Sequence, residues 1–295
     1  MIRLKTYWLY LQYFLRLKRL ERINIELTNA CNYKCAMCLR SGMNREQSVM
    51  PQEVFEETLS KCFDAGVKFL EFSAFGESTL DPLVYERITR AVNMGFTCSM
   101  TTNGSLLDIE RILETKIHQV IFSLHATSHQ EYLTYTKSKF TMEMLEEKIL
   151  ELKLHPRILS GELKTKVLIN HYTENEVDLS DLPQSVFVAD HFNVAPIYRF
   201  DKDVRTIACD IILKNLVIYV DGTVGLGCCW DVNTDLAIGH IMEKDLRSIF
   251  YSKRAAAKIR STRSSKFCKK CYDPFYIQEY RKTHIKPRRT TGGKC

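Results

Sequence analysis

Three cysteines, Cys31, Cys35 and Cys38, stand within eight residues in the stretch Thr28-Asn29-Ala30-Cys31-Asn32-Tyr33-Lys34-Cys35-Ala36-Met37-Cys38. A tight loop has no room to bury three thiols against one another, so packing does not explain them and ligation does. Cysteine thiolates select zinc, copper(I) or iron–sulfur clusters, and a closed structural zinc site takes four ligands. Three ligands leave one corner open. On a four-iron cluster, where four cysteines are usual, that corner is an iron able to hold a group other than protein.

A second set lies near the other end of the chain. Cys209 precedes a hairpin signal, Cys228 and Cys229 close its second strand, and Cys268-Lys269-Lys270-Cys271 follows a helical stretch. Cys209, Cys228, Cys268 and Cys271 make a four-thiolate set, which spacing leaves divided between zinc and an iron–sulfur cluster. Cys62 and Cys98 fall inside a helix and a strand and are expected as small core residues. Cys295, in a tail without apolar period, is expected as a bystander. Eleven cysteines with no secretory signal point to a reducing, cytoplasmic setting where clustered cysteines read as metal ligands.

Elements to position these groups follow from periodicity. Strand-like runs cover 23–27, 69–73, 96–102, 119–124, 166–170 and 186–194, and helical stretches cover 51–65, 82–94, 108–115, 142–154 and a short span near 174–182. Pro51 and Pro82 suit first-turn positions, and Gly66 and Gly95 suit left-handed caps. Alternation of this kind implies a parallel sheet with helical crossovers, whose ligands gather at the carboxyl ends of the strands. The cysteine loop directly follows the first strand. Residues 199–205 read as a linker, Asp221-Gly222 as a hairpin turn and 245–258 as one helix.

The C-x3-C-x2-C spacing resembles the signature of the radical S-adenosylmethionine (radical SAM) superfamily. That resemblance implies a partial (β/α)6 TIM-like barrel over 22–200 in an α/β fold, with a 4Fe-4S cluster on Cys31, Cys35 and Cys38 that binds SAM at its open iron. Met37 stands where the family carries an aromatic residue whose backbone meets the adenine. Ser73-Ala74-Phe75-Gly76-Glu77-Ser78 looks like the family's Gly-Gly-Glu strip for the SAM amino group, with Phe75 in place of the first glycine and Glu77 as a charge-assisted partner. Thr102-Asn103-Gly104 is similar to a Thr-Asn-Gly found there in many members, and Ser123-Leu124-His125 to a Ser-Leu-Asp segment whose serine contacts the ribose. His125 takes the aspartate's place and is the candidate base; His129 and His171 have weaker claims. Asp221-Gly222, the Cys228-Cys229 pair, Ile238-Gly239-His240-Ile241 and the C-x2-C knuckle resemble the SPASM/Twitch extension. It implies a small C-terminal α+β domain over 205–276 with an auxiliary 4Fe-4S cluster, and tips the zinc-or-cluster choice to the cluster. Five residues separate Gly222 from Cys228, one more than usual, so Cys229 is the rival ligand.

Charge narrows the partners. The chain carries +7 overall, but residues 280–295 hold six positive charges and no acid, and residues 1–22 net five, which leaves the body at −4. The body is no basic platform, so nucleic acid is not an expected partner. The segment 1–21 is an aromatic helix with basic flanks, about half the length of a bilayer crossing; it is expected to pack under its own domain, with contact to a membrane surface as the alternative. The tail 277–295 is expected to be mobile. The resemblance implies reductive cleavage of SAM to a 5′-deoxyadenosyl radical, fed by an external donor such as flavodoxin or ferredoxin, and a fully ligated auxiliary cluster suits electron transfer. The expected reaction is therefore a dehydrogenase-like oxidation of a small polar metabolite such as a sugar or aminocyclitol, with peptide or protein side-chain modification as the alternative. A non-catalytic iron–sulfur or zinc protein is the minor one.

Overall fold

One sheet of nine strands carries the described part of the protein. The structure, a computed structural model, describes residues 2–36, 38–126, 128–171, 177–178, 191–196, 209, 211–228, 231–262, 268 and 285–286. Strands β1 (Arg22–Ile25), β2 (Phe69–Phe72), β3 (Thr97–Thr102), β4 (Gln119–Ser123), β5 (Lys164–His171) and β7 (His191–Pro196) run parallel, each beside its predecessor. This is the expected six-fold series. A short β6 (Val177–Asp178) pairs instead with β11 (Ile285–Lys286) in a separate ribbon.

Crossover helices form where the pattern places them. In α2 (Gln52–Asp64), Val54, Phe55, Thr58, Leu59 and Cys62 bury one face, Pro51 stands at the N-cap, and Glu53 and Lys61 occupy the ends where the helix dipole favours them. α3 (Val84–Asn93) and α4 (Ile109–Glu114) follow, the latter capped by the Asp108 carboxylate on the Arg111 N–H. Gly66 and Gly95 adopt φ of +74° and +89°, the left-handed caps expected. Between β4 and β5 lie α5 (His129–Thr136), α6 (Met142–Lys153) and α7 (Pro156–Leu159).

Strand burial alternates and separates two faces. Ile23, Ile25, Leu70, Phe72, Cys98, Met100, Val120 and Phe122 are buried against the helices. Arg22, Asn24, Glu71, Ser99, Thr101 and Ser123, on the other face, are half-buried. The hydrophobic core is therefore on the helical side, and the opposite face is polar and half-buried.

The C-terminal segment joins this sheet. After α8 (Ile211–Lys214), strand β8 (Asn215–Ile218) pairs parallel to β1, with Ile23 opposite Leu216. β9 (Thr223–Leu226) and β10 (Ala237–His240) then continue antiparallel, so the sheet reads β10-β9-β8-β1-β2-β3-β4-β5-β7 from edge to edge. The turn is the expected one: Gly222 has φ +90° and the Asp221 carboxylate accepts from the Thr223 N–H. Helix α1 (Ile2–Phe14) packs Tyr13 edge-on against Phe250, ring centroids 5.0 Å apart.

Three local expectations are corrected. The single helix over 245–258 is two, α9 (Leu246–Phe250) and α10 (Lys253–Ser261), because Ser252 caps the second through the Ala255 N–H. Within the helix expected over 174–182, the described residues Val177–Asp178 are extended. Periodicity does not reveal α5, although Ser128-x-x-Glu131 is a capping-box spacing and Ser128 does accept from the Glu131 N–H. The linker at 199–205 lies outside the described residues.

Candidate cluster and cofactor site

The loop after β1 carries Cys31, Cys35 and Cys38, all half-buried thiols. Burial, with the Cys38 and Cys31 thiols nearby, pushes Cys35 up to about 12, and Cys31 is raised by burial too, with Glu77 and Cys38 adding to it. Neighbouring thiols thus add to the shift of both Cys31 and Cys35, and a cation bound among the three would relieve that repulsion. The donor set thus fits a 4Fe-4S cluster with three protein ligands.

Neighbouring strand ends hold this loop. Gly76, after β2, lies so close to the loop backbone that a Cβ on it would stand 1.9 Å from the Thr28 carbonyl oxygen and 2.8 Å from that of Ala30. The Glu77 N–H donates to Ala30 O at 2.8 Å. After β3, Asn103 Nδ2 donates to Asn32 Oδ1 at 2.9 Å, and Asn103 Oδ1 accepts from the Ser105 N–H and hydroxyl. From α5, Tyr135 O accepts from the Ala36 N–H at 2.7 Å, and the Tyr132 hydroxyl lies 3.2 Å from that of Tyr33.

Groups of the protein itself hold the Glu77 side chain. It is buried, and its carboxylate accepts from the Thr79 N–H and hydroxyl, the Thr102 hydroxyl and the Asn103 N–H. Burial raises its pKa. With those four protein donors on it, the group ties β2 to β3 beneath the cysteine loop. Gly76 retains the close backbone approach, Asn103 is engaged with Asn32, and Ser123 sits half-buried at the end of β4 on the polar face. Met37 lies outside the described residues. His125, two residues on, has φ +61°, a left-handed conformation uncommon for any residue but glycine. Burial lowers its pKa to about 4, so its ring is neutral at pH 7. His129 is exposed and pairs with Glu143. Cys62 and Cys98 are core residues.

Sequence reasoning missed the residues that brace the loop from behind. Glu26, buried at the end of β1, pairs with both terminal nitrogens of Arg45 at 2.7 and 2.8 Å. Arg45 also donates through Nε to Val232 O and lies 4.8 Å over the Tyr219 ring. Tyr219 donates to Asp231, whose carboxylate caps the Asp235 and Leu236 N–H groups. The Asn44 N–H donates to the Asn233 side chain. Segment 231–236 follows directly on the expected auxiliary cysteines. Cys228 closes β9, Cys209 O accepts from the Tyr10 hydroxyl at 2.9 Å, and Cys268 is buried; Cys229, Cys271 and Cys295 lie outside the described residues. Two clefts of about 460 and 440 Å³ open beside α3–α4 and near Arg157, and no thiol lines either.

Comparison with known proteins agrees with this geometry. A crystal structure of BtrN in complex with AdoMet and 2-DOIA superposes with TM-score 0.60 at 19% identity, over 87% of this chain and 94% of that one. Streptococcus suis SuiB bound to precursor peptide SuiA gives TM-score 0.61 at 15% identity, over 88% and 74%. These are likenesses of fold. In sequence, a GTP 3′,8-cyclase of Clostridium perfringens is 25% identical over 182 residues, 55% of this chain and 54% of that protein. A tungsten-containing aldehyde ferredoxin oxidoreductase cofactor-modifying protein of Pyrococcus furiosus is 26% identical over 109 residues, 36% and 31%. The chain thus spans about a third to a half of the length of these curated relatives. Residues 209–272 match the SPASM iron–sulfur cluster-binding domain. Residues 25–178, just over half of the chain, match the Radical SAM superfamily, and the chain belongs to that superfamily.

Proposed function

We propose that this radical SAM enzyme carries out a two-electron dehydrogenation of a small polar metabolite such as a sugar or aminocyclitol. The observation that supports the substrate class is the polar, half-buried face of the sheet. Asn24, Glu71 and Ser99 are register neighbours across β1, β2 and β3. Glu71 accepts from Arg22 and Thr101 at 3.2 and 3.3 Å, and Asn24 lies beside Ser73. Hydroxyl, amide and carboxylate groups held half-buried suit a ligand rich in hydroxyls or amines, whose own polar groups would otherwise stay unpaired. The likeness of fold to BtrN, whose crystal structure is a complex with 2-DOIA, is in keeping with a small ligand.

Cys31, Cys35 and Cys38 would hold the SAM-binding cluster, and Cys209, Cys228, Cys268 and Cys271 the auxiliary one. Bound there, the clusters and SAM supply one-electron reduction, a hydrogen-abstracting radical and an electron acceptor. The chain's own part is positional. The Gly76 backbone lies against the cysteine loop, Glu77 and Asn103 hold that loop in place, and Ser123 with the polar face of the sheet would orient the bound groups. His125, neutral at physiological pH, would accept the proton that leaves the oxidised carbon's hydroxyl. The substrate as a whole gives up one hydrogen atom, one proton and one electron.

Anaerobic reconstitution is expected to give about eight irons per chain. With SAM and a reductant, candidate aminocyclitols should accelerate 5′-deoxyadenosine release and yield a carbonyl product. Release of 5′-deoxyadenosine with a modified peptide but with no polar metabolite would select the peptide reading. About four irons, unchanged in a Cys268→Ala/Cys271→Ala variant, would remove the electron-acceptor role.

A further inference from the structure

Helix α1 uses only half of its girth to pack. Leu9, Tyr10 and Tyr13 face the protein, Tyr13 donating to Phe250 O at 2.8 Å. Tyr7, Trp8, Leu11, Phe14 and Leu15 recur at i, i+1, i+4, i+7 and i+8, which places them on one stripe, and they are 46–62% exposed. Leu17, just beyond the helix, is 64% exposed. Monomeric surfaces rarely show so many large apolar groups side by side.

The helices that carry the stripe and its rim contain basic residues and no acid. No acidic residue occurs in α1. The Arg260 guanidinium lies 5.8 Å over the Phe14 ring, Arg247 lies 5.8 Å over Tyr251, and Tyr251 in turn packs on Tyr13. Arg16, Arg247 and Arg260 are all exposed. α10 adds Lys253, Arg254 and Lys258 without an acid. Among the described residues no helix is long and apolar enough to cross a membrane.

We propose that the outer face of α1, with the rim of Arg16, Arg247 and Arg260, docks the enzyme on an anionic lipid surface. An apolar stripe led by tyrosine and tryptophan enters the region between headgroup and acyl chain, where rings with one polar end are favoured. Arginines at its border reach lipid phosphates while their stems stay against the aromatic rings. Charge complementarity chooses this occupant: a neutral apolar partner would leave the arginines unpaired. The inference is independent of the reaction proposed above.

The test is co-sedimentation of the full chain with phosphatidylcholine vesicles, alone and mixed with phosphatidylglycerol, at low and high salt. Binding is expected to the mixed vesicles, to weaken with salt, and to shift Trp8 fluorescence to the blue, a shift lost in Trp8→Phe. Arg16→Glu/Arg247→Glu/Arg260→Glu should lower the partition by about a hundredfold, and Trp8→Ser/Leu11→Ser by at least about tenfold. All the changed side chains are exposed, and an unaltered thermal transition verifies the fold. Absence of vesicle binding, binding indifferent to charge reversal, or a solution dimer that Trp8→Ser/Leu11→Ser dissolves would each overturn the proposal, the last by assigning the face to a second copy of the chain.

Discussion

Replacing Gly76 by alanine tests whether the cysteine loop is held by backbone contact. The added Cβ would meet Thr28 O at 1.9 Å, Thr28 C at 2.7 Å and Ala30 O at 2.8 Å, and all three are backbone atoms that no rotamer change can move. The two segments must part by about 1.5 Å to reach ordinary contact. Overpacking of this kind costs about 1–3 kcal/mol. Separation also strains the Glu77 N–H bond to Ala30 O, and a buried donor left without its partner costs about 1–3 kcal/mol. Together the loss is about 2–6 kcal/mol, a fall in Tm of about 3–10 °C for a chain of this size. Because Ala30 adjoins Cys31, the iron bound after reconstitution should fall as well. Gly66→Ala is the control: its φ is +74° but nothing lies within 4 Å, so only the left-handed backbone penalty of about 1–2 kcal/mol applies. A Gly76→Ala protein with unchanged Tm and full iron content would refute the reasoning.

Two further perturbations address the groups around the loop. Arg45→Met leaves the Glu26 carboxylate buried without its partner, a loss of about 3–5 kcal/mol in urea unfolding, and adding Glu26→Gln should restore part of it; a loss below about 1 kcal/mol would reduce the pair to a surface contact. His125 binds its proton less readily folded, at about 4 against 6.5, so its contribution to stability is complete above pH 6.5 and drains away as pH falls toward 4. His125→Asn, which tolerates positive φ, should remove about 3 kcal/mol of that acid-side loss and leave SAM cleavage running without oxidised product. Equal pH profiles for the two proteins would contradict the assignment.

What the chain reveals in advance depends on range. The three thiols, the parallel alternation and the caps at Gly66 and Gly95 rest on neighbours in sequence, and each is legible. That Glu77 ties β2 to β3 is not legible in Gly-Glu after a strand; only the fold brings Thr79, Thr102 and Asn103 onto its carboxylate. Arg45 cannot be singled out at all. It is one charged residue in a polar loop, and its partners Glu26, Tyr219 and Val232 lie as far as 187 residues away. The break between α9 and α10 is local, but apolar spacing runs through it, and the Ser252 cap outweighs that continuity.

The pairing of β8 with β1 has a consequence for the order in which the enzyme is made. Cys38 leaves the ribosome long before Asn215, and at the usual pace of synthesis that gap lasts about 10–35 s. During this interval the thiols are already out while the strand that flanks their loop on one side, and the segment around Val232 that clasps Arg45, do not yet exist. Loading of iron ahead of release would meet a half-made cradle, so delivery by the assembly machinery is best timed to the finished polypeptide.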